Sequence, residues 1–172
     1  MRLILILLAT LLVPTAASAE TVDFSLPDLD GRERQLSEFR GRWVLVNYWA
    51  TWCPPCLEEL PELERFHIAH QSRDAVVIGI NMEEISLTRL REFVEEQFLS
   101  FPILREKPGA RGVLGAVPAL PTSYLVTPAG ELVARQVGMV DAQMIERYIE
   151  NYQRQNPQDG GTAGDGHGSG GE

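Results

Sequence analysis

Two short, nearly continuous apolar runs flank one stretch of helical spacing, and this pattern restricts the fold more than any other feature. Residues 43–49 read WVLVNYW and residues 75–80 read AVVIGI. Their length and their β-branched or aromatic content predict strands buried on both faces. Between them, residues 55–70 carry Leu57, Leu60, Leu63 and Phe66 at helical intervals. Strand, helix and strand in this order make a parallel βαβ unit.

The rest of the chain extends that unit. Ser86 is placed to cap a second helix over residues 86–98, with Leu87, Leu90, Phe93, Val94 and Phe98 as its apolar stripe. A short strand is expected at 101–104, then a loop holding Pro108, Gly109, Gly112 and Gly115. Residues 122–127 and 131–137 flank Pro128-Ala129-Gly130 and read as an antiparallel hairpin. Asp141 caps a last helix, with Met144, Ile145, Tyr148 and Ile149 facing inward. Residues 22–36, around Asp30-Gly31, form a small leading hairpin. The order gives an α/β protein of three layers, α/β/α, around a mixed central sheet: the shape of a thioredoxin fold with an N-terminal β-hairpin.

The two ends read differently. The chain starts Met-Arg, runs apolar from Leu3 to Val13 and ends this segment with Ala17-Ser18-Ala19. A positive start, a short apolar core and an Ala-x-Ala end predict a secretory signal peptide over residues 1–19. The run is too short for the roughly 20 residues of a membrane-spanning helix. No cysteine lies near the cleavage site to carry a lipid. Cleavage removes Arg2 and takes the formal net charge from −9 to −10. Such an acidic surface argues against nucleic acid and anionic membrane as partners. The expected location is the periplasm or another extracytoplasmic, oxidising compartment, where disulfides persist. At the other end, residues 157–172 hold seven glycines and no large apolar side chain. They read as a disordered tail, leaving residues 20–156 as one domain.

Cys53 and Cys56 are the only cysteines, and they sit where the first long strand meets the first long helix, in Thr51-Trp52-Cys53-Pro54-Pro55-Cys56. A structural staple would stabilise little, because the loop it closes is only about four residues long. Structural zinc needs four donors. His67 and His70 lie about three turns along the helix, out of reach of Cys53, and read as solvated residues complementing the helix dipole. A redox pair uses every residue. Cys53, just before the helix, faces unpaired N–H groups and the positive end of the dipole, which favour the nucleophilic thiolate. Cys56, one turn on, can attack a mixed disulfide formed at Cys53. Pro54 and Pro55 suit the first helical turn. They also withhold two N–H donors, which predicts a less acidic Cys53 and a more reducing pair. Trp52 offers a flat apolar platform beside the sulfur. No GxGxxG lies in a βαβ unit, so no bound dinucleotide and no other cofactor is expected.

Residues 44–56, VLVNYWATWCPPC, together with Glu59-Leu60-Pro61, Phe24 to Gly31, Leu36-Ser37 and Leu120-Pro121-Thr122, resemble the exported thioredoxin-like proteins of the TlpA/ResA group. The resemblance spans residues 22–152. It implies thiol–disulfide exchange, usually in the reducing direction outside the inner membrane, with electrons from a membrane thiol donor. It permits both apocytochrome c haem-binding cysteines and other exported protein disulfides as substrates. By position, Pro121 matches the cis-proline that faces the CxxC, and Leu120 would offer its backbone to an extended substrate segment. Asn47 stands where ordinary thioredoxins carry a buried aspartate, and it cannot take a proton. Glu84 matches a position where the group carries an acid near the active site. Partly buried, it would act as proton relay for Cys56; the plainer alternative is that Glu83 and Glu84 simply precede a helix and favour its N-terminus. Glu59 reads as a solvated surface contact, and Pro61 as a kink.

Two other functions remain open at this point. A thiol-dependent peroxide reductase would use one activated cysteine, with Thr51 supplying a hydroxyl. A Cu(I)-binding module would use Cys53, Cys56 and a histidine.

Overall fold

The structure is a computed structural model that describes residues 21–109 and 111–157. The signal segment and all of the tail except Pro157 lie outside the described residues.

The elements follow in the order β1 (Ser25–Pro27), β2 (Glu33–Gln35), a 3₁₀ turn (Leu36–Phe39), β3 (Trp43–Trp49), α1 (Pro54–His70), β4 (Ala75–Asn81), α2 (Leu87–Glu96), β5 (Ile103–Arg105), β6 (Arg111–Gly112), β7 (Gly115–Ala116), β8 (Thr122–Val126), β9 (Leu132–Val137) and α3 (Ala142–Gln155). The central sheet runs β5-β4-β3-β8-β9. β3, β4 and β5 are parallel, whereas β8 and β9 are antiparallel additions. β1 pairs with β2, and β6 with β7, as separate small hairpins.

All seven residues of β3 and all seven of β4 are buried, as their unbroken apolar runs require. Alternate residues point to opposite faces. Trp43, Leu45 and Trp49 join one core with Leu60, Leu63 and Phe66 of α1, Leu90 of α2, and Ile145 and Ile149 of α3. Val44, Val46 and Tyr48 join a second core with Phe24, Leu26, Leu36, Phe39, Leu114 and Val117. The crossovers β3–α1–β4 and β4–α2–β5 step the same way across the sheet. Right-handed crossovers that do so put both helices on one face. The layer on the other face is therefore built from the leading hairpin, the 3₁₀ turn and the β6–β7 loop.

Several side chains differ from expectation. Leu57 is exposed, while Glu59 and His67 take places on the buried face of α1. The stripe runs through Cys56, Leu60, Leu63 and His67, so its centre lies beside Leu57 and not on it. His67 is 3% exposed, and its Nδ1 accepts the N–H of Val77 at 3.1 Å. β5 pairs only from Gly79 onward, so this imidazole caps a β4 donor that the edge strand does not reach. Burial pulls the His67 pKa down, so the neutral acceptor form is favoured. Met144 and Tyr148 lie at the rim of α3, and the Tyr148 hydroxyl donates to the Val133 carbonyl at 2.8 Å. α1 continues through Pro61 to His70.

Phe98 lies beyond the end of α2 and is 85% exposed, with φ of 53°. The N–H of Leu99 reaches the carbonyl of Val94 and that of Phe98 the carbonyl of Glu95, each at 3.1 Å. This is a Schellman cap whose left-handed position holds a phenylalanine where glycine is favoured. Phe98→Gly is expected to raise the unfolding free energy by about 1 kcal/mol, because the left-handed strain goes and little packing is lost. Urea unfolding of both forms at one pH checks this.

Candidate active site

The site forms where the carboxyl end of β3 turns into α1. Cys53 is the N-cap of α1, with Pro54 and Pro55 in the first turn. The Cys53 Sγ accepts the N–H of Cys56 at 3.3 Å, and the two sulfurs form a disulfide with Cα atoms 5.2 Å apart. Pro54 and Pro55 have no N–H, so Cys56 supplies the backbone donor that reaches the sulfur. Cys53 is 3% exposed and Cys56 fully buried. An attacking group can therefore meet the pair from the Cys53 side.

That side opens into a groove of about 420 Å³ lined by Trp52, Pro54, Pro55, Met82, Pro108 and Leu120, among others. Trp52 is 66% exposed, and its indole forms a projecting apolar wall. The Leu120–Pro121 peptide bond is cis, and Pro121 is buried at the start of β8. The groove thus brings together Cys53, Trp52, both prolines and Leu120, residues that lie apart in the chain.

Glu84 is not among them. It is exposed in an adjoining charged cleft with Glu83, Arg105, Glu106 and Lys107. It lacks the burial on which the expected relay role rests.

The buried acid is Glu59, which was expected to be solvated. It lies three residues beyond Cys56 on the inward face of α1 and is fully buried. Three residues along a helix place it about 4.5 Å farther along the axis, on the same side. Asn47 Nδ2 donates to one Glu59 oxygen at 2.6 Å, and the backbone N–H of Val140 to the other at 3.0 Å. The same Asn47 amide nitrogen donates to Ser123 Oγ at 3.0 Å, across the β3–β8 pairing. Burial pushes the Glu59 carboxyl from an ordinary 4.5 up to about 7; the N–H of Val140 and the amide of Asn47 only partly offset it. Asn47 cannot accept a proton itself, but it holds a group that can. The clue in the sequence was the i, i+3 spacing from Cys56, visible once Cys56 is counted in the apolar stripe.

The other histidine and hydroxyl candidates are engaged elsewhere. His67 lies fourteen residues along α1 from Cys53, about 21 Å by helical rise, with its Nδ1 bound to β4. Among the described residues no group of three or more His, Cys, Asp and Glu side chains is placed to hold a metal ion. The Thr51 hydroxyl donates to Glu83 at 3.1 Å.

Comparison with known proteins gives consistent results. Residues 18–135 match the AhpC/TSA family. A thiol-disulfide oxidoreductase ResA from Halalkalibacterium halodurans is 35% identical over 136 residues, 78% of this chain and 76% of that protein. A secreted thiol-disulfide isomerase from Corynebacterium glutamicum superposes with a TM-score of 0.68 at 26% identity, covering 74% of this chain and 81% of the other. A thiol:disulfide interchange protein of the thioredoxin family from Chlorobium tepidum shares the fold at a TM-score of 0.69 and 23% identity, covering 79% of this chain and 97% of that one. The oxidised Cys53–Cys56 pair at the mouth of α1 accords with these matches: the chain belongs to the AhpC/TSA family, and within it to the thioredoxin-fold thiol–disulfide oxidoreductases of the ResA type.

Proposed function

We propose that this protein is exported, to the periplasm or an equivalent compartment, and works there as a reductase of protein disulfides. The observation that carries the exchange chemistry is the succession, over the first two turns of α1, of an N-cap Cys53, a buried Cys56 and a buried Glu59 carboxyl. Cys53 attacks as thiolate, the substrate S–S bond breaks, and a mixed disulfide forms while one substrate sulfur leaves as thiolate. The Cys56 thiol then gives its proton to Glu59 and attacks Cys53. The second substrate sulfur leaves, and Cys53–Cys56 is oxidised by two electrons. Re-reduction draws on a membrane thiol donor. The apolar groove beside Trp52 and Leu120 suits extended polypeptide, such as the haem-binding cysteines of apocytochrome c or other exported disulfides.

Two details of the site weigh against the other functions. A peroxide reductase would need the Thr51 hydroxyl free beside the sulfur, and Glu83 takes it up. A Cu(I) site would need a histidine near the thiols, and His67 is at the far end of α1.

The direction is tested by equilibrating the pair in thiol buffers and trapping free thiols. A potential below about −220 mV supports a reductase, and one near −120 mV means an oxidant. In the same measurement, Pro55→Ala adds an N–H aimed at the Cys53 sulfur. It is expected to raise the potential by roughly 20–30 mV, since one charge-assisted hydrogen bond is worth about 1.5 kcal/mol.

Glu59→Gln tests the proton step. In the unsubstituted protein, resolution of the mixed disulfide should accelerate as pH rises through about 7, where Glu59 becomes able to accept a proton. The glutamine variant should lose that inflection and slow about a hundredfold; an unchanged pH profile in single-turnover stopped flow would remove Glu59 from the cycle. Stability offers a second readout. The folded protein holds the Glu59 proton to higher pH than the unfolded chain does. Its stability therefore falls between pH 4.5 and about 7, by roughly 3 kcal/mol from this group, and is level above. In urea unfolding of the oxidised form, Glu59→Gln should lack that component.

A further inference from the structure

Glu83 follows β4 and stands 32 residues from Thr51 in the chain, yet it takes up both donors of that residue. One Glu83 oxygen accepts the Thr51 backbone N–H at 2.8 Å and the Asn81 side-chain amide at 2.7 Å. The other accepts the Thr51 hydroxyl at 3.1 Å. Thr51 opens the turn that carries the chain from β3 to Cys53. Two backbone bonds hold the edges of this turn: Cys53 N–H to the Ala50 carbonyl at 3.2 Å, and Met82 N–H to the Trp49 carbonyl at 3.0 Å. Neither engages the N–H or the hydroxyl of Thr51, which Glu83 takes up. The turn must keep Cys53 nearly buried as the N-cap while Trp52 projects into solvent.

We propose that Glu83 is a positioning residue for thiol–disulfide exchange. Its carboxylate ties the end of β4 to Thr51, and so holds the 50–53 turn in the arrangement that aims the Cys53 sulfur into the groove beside Trp52. Sulfur exchange needs the attacking atom in line with the disulfide it breaks, and displacement by about 1 Å can cost about a hundredfold in rate. A carboxylate meets the three donors without rearrangement. A glutamine meets them too: its oxygen accepts the two N–H groups, and its amide nitrogen donates to a Thr51 hydroxyl that now acts as acceptor. The role therefore depends on shape and hydrogen bonding, and not on the negative charge.

The test compares the full chain with Glu83→Gln, Glu83→Ala and Thr51→Val, all reduced. Exchange with a peptide disulfide is followed by stopped flow, and alkylation of Cys53 by iodoacetamide is followed across the range of thiol ionisation. Glu83→Ala should slow exchange about tenfold, while its alkylation rate at full ionisation stays within about twofold, because the small reagent needs no docking. Glu83→Gln should restore exchange to within about twofold of the unsubstituted chain. Thr51→Val, which loses the hydroxyl bond alone, should fall between. Undiminished exchange in Glu83→Ala overturns the proposal. So does equal slowing in the alanine and glutamine variants, which would assign the effect to charge and would appear as a common shift of the alkylation midpoint. Should Glu83→Ala not fold, Thr51→Val carries the test, and exchange equal to that of the unsubstituted chain overturns it.

Discussion

Strand β3 has a neighbour on each edge and a packed layer on each face, so none of its seven residues meets water. A polar atom buried on such a strand costs free energy unless it finds a partner within the protein, and on β3 the amide nitrogen of Asn47 finds two. Asn47 is the one residue of β3 with an amide side chain, and it points into the α1 layer between Leu45 and Trp49. Its amide binds Glu59 and Ser123, tying together the central strand, the first helix and β8. The same strand delivers the chain to Cys53 at its carboxyl end. Fold and chemistry thus meet on one element.

Two carboxylates act near that element, and their surroundings separate what they can do. Glu59 is enclosed, with one N–H partner on each oxygen, and burial keeps its carboxyl protonated far above the usual range. In the proposed cycle that makes it a proton acceptor tuned to neutral pH. Glu83 is half-buried and receives three donors on its two oxygens, an arrangement that suits a fixed hydrogen-bonding clamp. Glu84, its immediate neighbour in sequence, is exposed in the adjoining charged cleft. Adjacent acids in a chain can thus differ completely in role, according to which neighbours the fold brings to them.

The redox pair follows a simpler logic. A cysteine at an N-cap faces a backbone donor, and the two prolines leave Cys56 as the residue that supplies it. The disulfide partner of Cys53, Cys56, is fully buried one turn on. Around them, Trp52, Met82, Pro108 and Leu120 surround the exposed approach with apolar surface. Among the described residues, this groove is the approach to the Cys53 sulfur.

Much of this could be read before any coordinates. Uninterrupted apolar runs define β3 and β4, because a strand buried on both faces tolerates little else. Ser86 and Asp141 mark helix starts through their capping side chains, which accept the N–H groups of Arg89 and Met144. The CxxC at a strand–helix junction points to thiol exchange, since only local geometry is needed to place one sulfur at a helix N-terminus and the other a turn away. The identity of the proton acceptor and of the loop clamp could not be read in this way. Glu59 and Glu84 are both acids flanked by polar and apolar residues, and only packing of α1 against β3 and of residue 140 buries the first and leaves the second in water. Glu83 reaches Thr51 only because β3 and β4 end side by side in the sheet. Local propensity and spacing act over a few residues, whereas desolvation and carboxylate partners come from segments that meet through the sheet; that difference in range divides what the amino-acid order reveals from what folding settles.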